Sequence, residues 1–277
     1  MASLLFLTFN VQTRTAFLFG APSVGCFEVM RLMFLLSLAL LIATTGFAQE
    51  KVDGFTARIY KNDHREKMPY RLFIPANYDK SKKYPIVIWL HGAGGAGDDN
   101  LKQISEDQVA GTRLWVKPEI QSKYPAFVLV PQSTGGWAAV SALELSDEER
   151  LVLEVLNSLK SEFSLDMKRI YLTGQSNGGF GTWDLISKRP SLFAAAIPLC
   201  GGGNPLLAPS LVSIPIWAFH GDQDSVIPVT ETRSMIAAIK KLGGTPRYTE
   251  YKGADHEIWV RAFKEPGLAD WLFAQHR

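Results

Sequence analysis

The chain has few cysteines, little charge imbalance and no long apolar run, and each shortage excludes something. Its two cysteines are Cys26 and Cys200. Only Cys200 lies beyond residue 48, so an internal disulfide is excluded there. Cys200 closes an apolar run and reads as a small buried hydrophobe. Lysine and arginine number 29 against 27 aspartates and glutamates, a net charge of +2. That balance, with no basic stripe, argues against nucleic acid as a partner. No internal repeat, low-complexity tract or block of like charge is present; Lys80, Lys82 and Lys83 read as a solvated loop. The N-terminal apolar run, residues 32–43, is too short to span a membrane.

The first 48 residues differ from the rest, with only Arg14, Glu28 and Arg31 charged. Met30-Arg31 precedes the apolar run, and Thr44-Thr45-Gly46-Phe47-Ala48 follows it. Gly46 and Ala48 are the small residues that a signal peptidase needs. The pattern predicts an N-terminal extension and signal peptide over 1–48, with translation starting at Met30 and cleavage after Ala48. Residues 49–277 then form a single domain, and 277 − 48 = 229 residues suffice for one core. The alternative is an uncleaved anchor. Cys26 follows Ser23-Val24-Gly25, but the preceding stretch is a poor signal core, so lipidation is not expected. The expected location is outside the cytoplasm, secreted or periplasmic, with no stable membrane insertion after cleavage.

What is present centres on Gly174-Gln175-Ser176-Asn177-Gly178-Gly179, between a strand-like run and a helix-like run. G-x-S-x-G in that setting is the nucleophile elbow of α/β-hydrolases: a turn tight enough to strain the serine and exclude side chains beside it. Chance alone supplies the motif in roughly one such chain in eight, so its context must carry it. Upstream, Trp89-Leu90-His91-Gly92-Ala93-Gly94-Gly95-Ala96-Gly97 closes an apolar strand. Such a loop lets backbone N–H groups approach a developing oxyanion, the second donor being the residue after the nucleophile, Asn177. No G-K-[ST] follows, which argues against a phosphate loop. Downstream, a buried strand ends at His220-Gly221-Asp222-Gln223-Asp224, offering two aspartates to orient a histidine. One of them is expected to be a plain turn former. The candidate base is His256. His64 and His91 precede the serine, His220 lies among the acids, and His276 is next to last. Asp98, Asp99 and Asn100 read as a helix cap rather than a cation site.

Strand-like runs at 57–60, 70–74, 86–90, 127–130, 169–172, 194–198, 214–219 and 247–251 alternate with helix-like stretches at 148–163, 180–187, 231–242 and 268–275. Alternation of this kind predicts a mostly parallel central sheet with helices on both faces and the first two strands as an antiparallel edge. Sites in such sheets lie at the carboxyl ends of strands. There is too little chain between Gly203 and Ile214 for a cap domain. The expected substrate-binding residues are Gln132 and Trp137 in the loop after the fourth run, Gln175 before the nucleophile, and Trp259 after the histidine. For Trp137, stacking on substrate competes with loop packing.

From about Tyr70 onward the chain resembles the secreted esterase branch of the α/β-hydrolases. This is the group labelled carboxylesterase, phospholipase-like or prolyl-oligopeptidase-like predicted peptidase, near the feruloyl esterases. The resemblance is carried by Tyr70-Arg71-Leu72-Phe73-Ile74-Pro75, the stretch 90–100, the elbow with Trp183-Asp184-Leu185, Pro198-Leu199-Cys200-Gly201-Gly202-Gly203, the segment 220–228, and His256 with Trp259. It implies an α/β-hydrolase fold without a cap domain, Asp224 as the acid, and Ala93 and Asn177 as the oxyanion donors. The family's histidine motif usually reads Gly-His; Asp255 stands before His256 here. Dienelactone hydrolases share the fold but use cysteine at the elbow, so Ser176 argues against that group.

The reading is a serine hydrolase of carboxylic esters, with Ser176, His256 and Asp224 as triad, no metal or organic cofactor, and a small-molecule or polysaccharide-linked ester as substrate. The alternatives are a serine peptidase of the prolyl-oligopeptidase-like type with the same machinery, or a surface-binding protein that kept the fold without the reaction.

Overall fold

The computed structural model describes residues 51–139, 141 and 143–277. The expectations for residues 1–48 lie outside the described residues. Among the described residues nine strands form one sheet: β1 (Lys51–Val52), β2 (Phe55–Lys61), β3 (Lys67–Phe73), β4 (Tyr84–Leu90), β5 (Phe127–Pro131), β6 (Leu165–Gln175), β7 (Ala195–Leu199), β8 (Trp217–Gly221) and β9 (Arg247–Tyr251). Their order is β1-β2-β3-β5-β4-β6-β7-β8-β9. The pairs β1–β2, β2–β3 and β3–β5 are antiparallel, and β5 through β9 run parallel. This is the α/β-hydrolase architecture, with the antiparallel edge where it was expected and one further short strand, β1, beyond it.

The central strands are covered on both faces, and for that reason they read as continuous apolar runs. Every residue of β4, β5 and β7 is buried. Alternate side chains serve two cores. Ile86, Ile88 and Leu90 join Leu129, Leu172 and Ala196 on one face. Val87 and Trp89 join Val128, Tyr171 and Ile197 on the other.

Three helices cover the first face: α3 (Asp147–Glu162), α4 (Asn177–Lys188) and α5 (Thr230–Lys241). Helix α3 begins in a capping box in which Ser146 and Glu149 satisfy each other's backbone N–H groups. The second face is covered by α1 (Val109–Val116), α6 (Trp259–Ala262) and α7 (Leu268–Phe273), while α2 (Pro118–Lys123) follows α1 with no fully buried residue. Among the described residues, β7 and β8 are joined only by a segment carrying the 3-10 turn Pro205–Leu211, so no cap domain stands over the sheet.

Candidate active site

The carboxyl ends of the parallel strands bring the expected residues together. Strand β6 ends at Gln175 and α4 starts at Asn177, so Ser176 alone makes the turn, at φ 53°, ψ −116°. A non-glycine residue there is strained and persists only because its surroundings hold it. Ser176 N–H donates to the Leu199 carbonyl at 2.9 Å, and the Ser176 carbonyl accepts from Phe180 N–H at 3.1 Å. Gly178 is needed for close approach: a Cβ there would lie 2.0 Å from the Leu90 carbonyl oxygen. The elbow is thus pressed against the end of β4, beside the glycine-rich loop.

Ser176 Oγ lies 2.9 Å from His256 Nε2, and His256 Nδ1 lies 2.7 Å from Asp224 Oδ2. The Asp224 carboxylate is fully buried, and the His256 side chain is 12% exposed. Oδ1 of Asp224 accepts from the N–H groups of Val226 and Ile227 at 2.9 and 2.7 Å. Burial raises the Asp224 carboxyl, but the His256 hydrogen bond and these two N–H groups outweigh it and hold the group below the ordinary aspartate value. Of the two candidate aspartates, Asp224 is the one that meets the imidazole. Asp222 instead accepts from Gly253 N–H at 2.6 Å and ties the neighbouring turn.

Asp255, the departure from the family's Gly-His pattern, joins the two loops. Its carboxylate accepts from Ser225 N–H at 2.8 Å, Ser225 Oγ at 2.9 Å and His256 N–H at 2.7 Å. Those N–H and O–H donors lower the Asp255 pKa and keep it ionised. The residue after the acid is thereby strapped to the residue before the base.

Asn177 opens α4 and Ala93 opens the 3-10 turn Ala93–Gly95. The first N–H groups of a helical turn lack intrahelical acceptors and suit an anion. His91 braces the Ala93 loop: its Nδ1 donates to the Gly92 carbonyl at 2.7 Å and its Nε2 accepts from Ser133 N–H at 3.0 Å. Burial pushes this imidazole down to about 4, so it is neutral and not a competing base.

The expected substrate contacts fare differently, because all four residues are buried. Gln132 spends its amide on scaffolding, accepting from Asn100 N–H and donating to the Gly95 carbonyl and Asp99. Trp137 is fully buried; its indole N–H donates to the His91 carbonyl at 2.9 Å, and its ring packs edge-on to His91. Loop packing therefore wins over stacking on substrate. Gln175 is fully buried beneath the loop, with its Nε2 near Asp107. Trp259 is 4% exposed and sets its ring at 86° to the His256 imidazole, centroids 5.4 Å apart, so it packs edge-on against that ring. Asp99 accepts from Leu101 and Lys102 N–H, capping a turn as expected.

His220, set aside as a base because it lies among the acids, is placed against Asp224, and its place beside two aspartates was the signal for that contact. Donor atoms of Cys200, His220 and Asp224 lie within 4.8 Å of one another, a spacing that could hold a metal ion. Each, however, is already engaged in a protein hydrogen bond. Burial, aided by nearby Asp224, pushes the Cys200 thiol up and leaves it protonated, a poor ligand and nucleophile.

The family model described as Dienelactone hydrolase family matches residues 71–265. The chain belongs to the dienelactone hydrolase family. The elbow serine had argued against that group, and the match overturns that argument: membership follows the whole domain rather than the identity of one side chain. A solved structure of a thermostable esterase is similar to this family member at 37% identity with TM-score 0.77, covering 82% of this chain and 64% of that one. A probable feruloyl esterase C of Aspergillus terreus is 27% identical over 170 residues, 58% of this chain and 56% of that protein. A secreted protein of Arthroderma benhamiae is 25% identical over 214 residues, 66% of this chain and 22% of that protein. The chain thus spans about half or less of these two curated relatives.

Proposed function

We propose that this chain is an exported serine hydrolase that cleaves carboxylic esters through Ser176, His256 and Asp224. The observation that carries the reading is the unbroken hydrogen-bonded path from Ser176 Oγ through both nitrogens of His256 to Asp224 Oδ2, at 2.9 and 2.7 Å. In the proposed reaction Ser176 Oγ forms a bond to the acyl carbon while its proton passes to His256 Nε2. The N–H groups of Ala93 and Asn177 hold the oxyanion. The bond to the leaving alkoxide breaks, and His256 returns the proton to it. Water then attacks the acyl-enzyme, again losing a proton to His256, and the acid leaves as Ser176 is restored. Asp224 keeps the proton of the neutral imidazole on Nδ1 and stabilises the imidazolium. None of these steps calls for a metal or an organic cofactor.

Esters are favoured over peptides by the esterase names of the similar proteins, and a polysaccharide-linked aromatic ester by the feruloyl esterase name among them. Export is supported by the leader-like first 48 residues and by the similar secreted protein. The test is turnover of short-chain aryl and feruloyl esters beside blocked peptides. Ser176→Ala is expected to lower kcat on esters by about a million-fold if the triad acts as a unit. Retained ester turnover in that variant rejects the mechanism, and faster cleavage of peptides than of esters by the wild type rejects the substrate class.

A further inference from the structure

His220, at the end of β8, is a fully buried imidazole for which the proposed reaction has no role. Its Nε2 lies 3.1 Å from Asp224 Oδ2 and 3.0 Å from the Ile227 carbonyl oxygen. A carboxylate and a carbonyl can only accept, so Nε2 carries a proton. Its Nδ1 lies 2.8 Å from Thr232 Oγ1, whose hydroxyl also lies 2.6 Å from the Gly201 carbonyl. Burial pushes the ring's pKa down; the Thr232 hydroxyl donates to the Gly201 carbonyl with its oxygen set against Nδ1, and the Nε2 proton is required by its two acceptors in either charge state.

We propose that His220 is a positioning residue for the reaction, its single Nε2–H shared between the Ile227 carbonyl and the same Asp224 oxygen that His256 uses. The Asp224 carboxylate then has four N–H contacts: hydrogen bonds from Val226 and Ile227 on Oδ1 and from His256 on Oδ2, and the His220 N–H, shared with the Ile227 carbonyl, 3.1 Å from Oδ2. Three of these do not depend on His256, so the carboxylate keeps its orientation while the base moves its proton. The chain of contacts continues from His220 through Thr232 on α5 to the Gly201 carbonyl beyond β7, which ties the acid to two elements outside its own turn.

His220 also sets how strongly the acid favours a charged base. A donor on Oδ2 withdraws negative charge from it, and removing that donor leaves a carboxylate that stabilises the His256 imidazolium more. The other polar and titratable groups around His220 are the Cys200 thiol, the Ile227 carbonyl, Thr232, His256 and, across the strand pair, Glu250. Burial keeps the thiol protonated, and Glu250 is already bound by Arg233 and Tyr248. Asp224 is thus the group whose charge His220 faces most directly.

This inference rests on the proposed ester hydrolysis. The test is kcat and KM for p-nitrophenyl acetate across pH in wild type, His220→Leu and His220→Gln, each with and without Asp224→Asn. His220→Leu is expected to lower kcat about tenfold with KM unchanged, and to move the acid limb of kcat/KM up by roughly half to one pH unit. His220→Gln, whose amide N–H reaches the same place, restores most of the rate and returns the limb. In Asp224→Asn the Leu substitution costs nothing further. Equal loss in Leu and Gln with an unmoved limb, or a loss that adds in full to that of Asp224→Asn, overturns the proposal. Should His220→Leu not fold, NMR of the histidine-labelled wild type decides: an Nε2-bound proton on His220 that shifts in Asp224→Asn supports it, and an unprotonated Nε2 overturns it. That readout needs no turnover, so it separates failure of this inference from failure of the esterase reading.

Discussion

At the residue scale the site depends on small differences between neighbours of the same type. Asp222 and Asp224 are two positions apart on one turn; Asp222 accepts from a backbone N–H, whereas Asp224 accepts from an imidazole as well as from two backbone N–H groups. Asp224→Asn is therefore expected to lower kcat by about 10⁴-fold, because the amide favours the wrong histidine tautomer. Asp222→Asn should change kcat by less than about tenfold, since its amide oxygen still accepts from Gly253. Steady-state kinetics of the two variants on an aryl ester checks this, and a larger loss at Asp222 reverses the assignment. The convergence of Ser176, His256 and the two aspartates was legible in the sequence because each stands at a strand end, in the chain order that the proposed triad requires. The substrate contacts were not. Gln132 and Trp137 sit in a loop whose composition resembles that of a cleft wall, and only the three-dimensional packing spends their polar groups on Asn100, Asp99 and His91.

At the element scale, strands and amphipathic helices were read from periodicity, and helix α1 was not. Its sequence, Val109-Ala110-Gly111-Thr112-Arg113-Leu114-Trp115-Val116, has a glycine mid-helix and β-branched residues, which local propensity disfavours. Packing explains the glycine: a Cβ on Gly111 would lie 2.2 Å from the Trp89 ring. The loops carrying Asp224 and His256 are a second element-level feature, since Asp255 straps them together through Ser225. Ser225→Ala removes the hydroxyl donor and keeps the N–H donor, so the strap loosens without breaking. The expected result is a loss in kcat of roughly threefold to tenfold with KM little changed, as for a small misplacement of reacting groups. Unaltered kcat in Ser225→Ala together with Asp255→Gly would remove the strap from the account.

At the scale of the whole molecule, a buried charge cluster links the helical layer to the loop beside the site. Lys188 Nζ lies 2.6 Å from Asp184 and 3.8 Å from Glu149, all three nearly or fully buried. Asp184 also accepts from Ala139 N–H, and Trp137 N–H donates to Asn177 Oδ1, so the cluster and the elbow hold the same loop. Burial pushes the Glu149 carboxyl up to about 8, with Asp184 adding to the rise. The folded state then binds a proton that the unfolded state releases near pH 4.5, so this group's contribution makes stability fall as pH rises from about 4.5 to about 8. Glu149→Gln, neutral throughout, should flatten that fall in thermal unfolding, gaining Tm relative to wild type at pH 8 more than at pH 5. An unchanged slope would show that Glu149 is ionised in the folded protein.

The central claim is covalent: an acyl group resides on Ser176 during turnover. Rapid acid quench of the enzyme with an activated aryl ester, followed by peptide mass spectrometry, tests it most directly. The account predicts the acyl mass on the peptide bearing Ser176 and none in Ser176→Ala. An acyl group on another residue, or steady hydrolysis with Ser176 never modified, would contradict it.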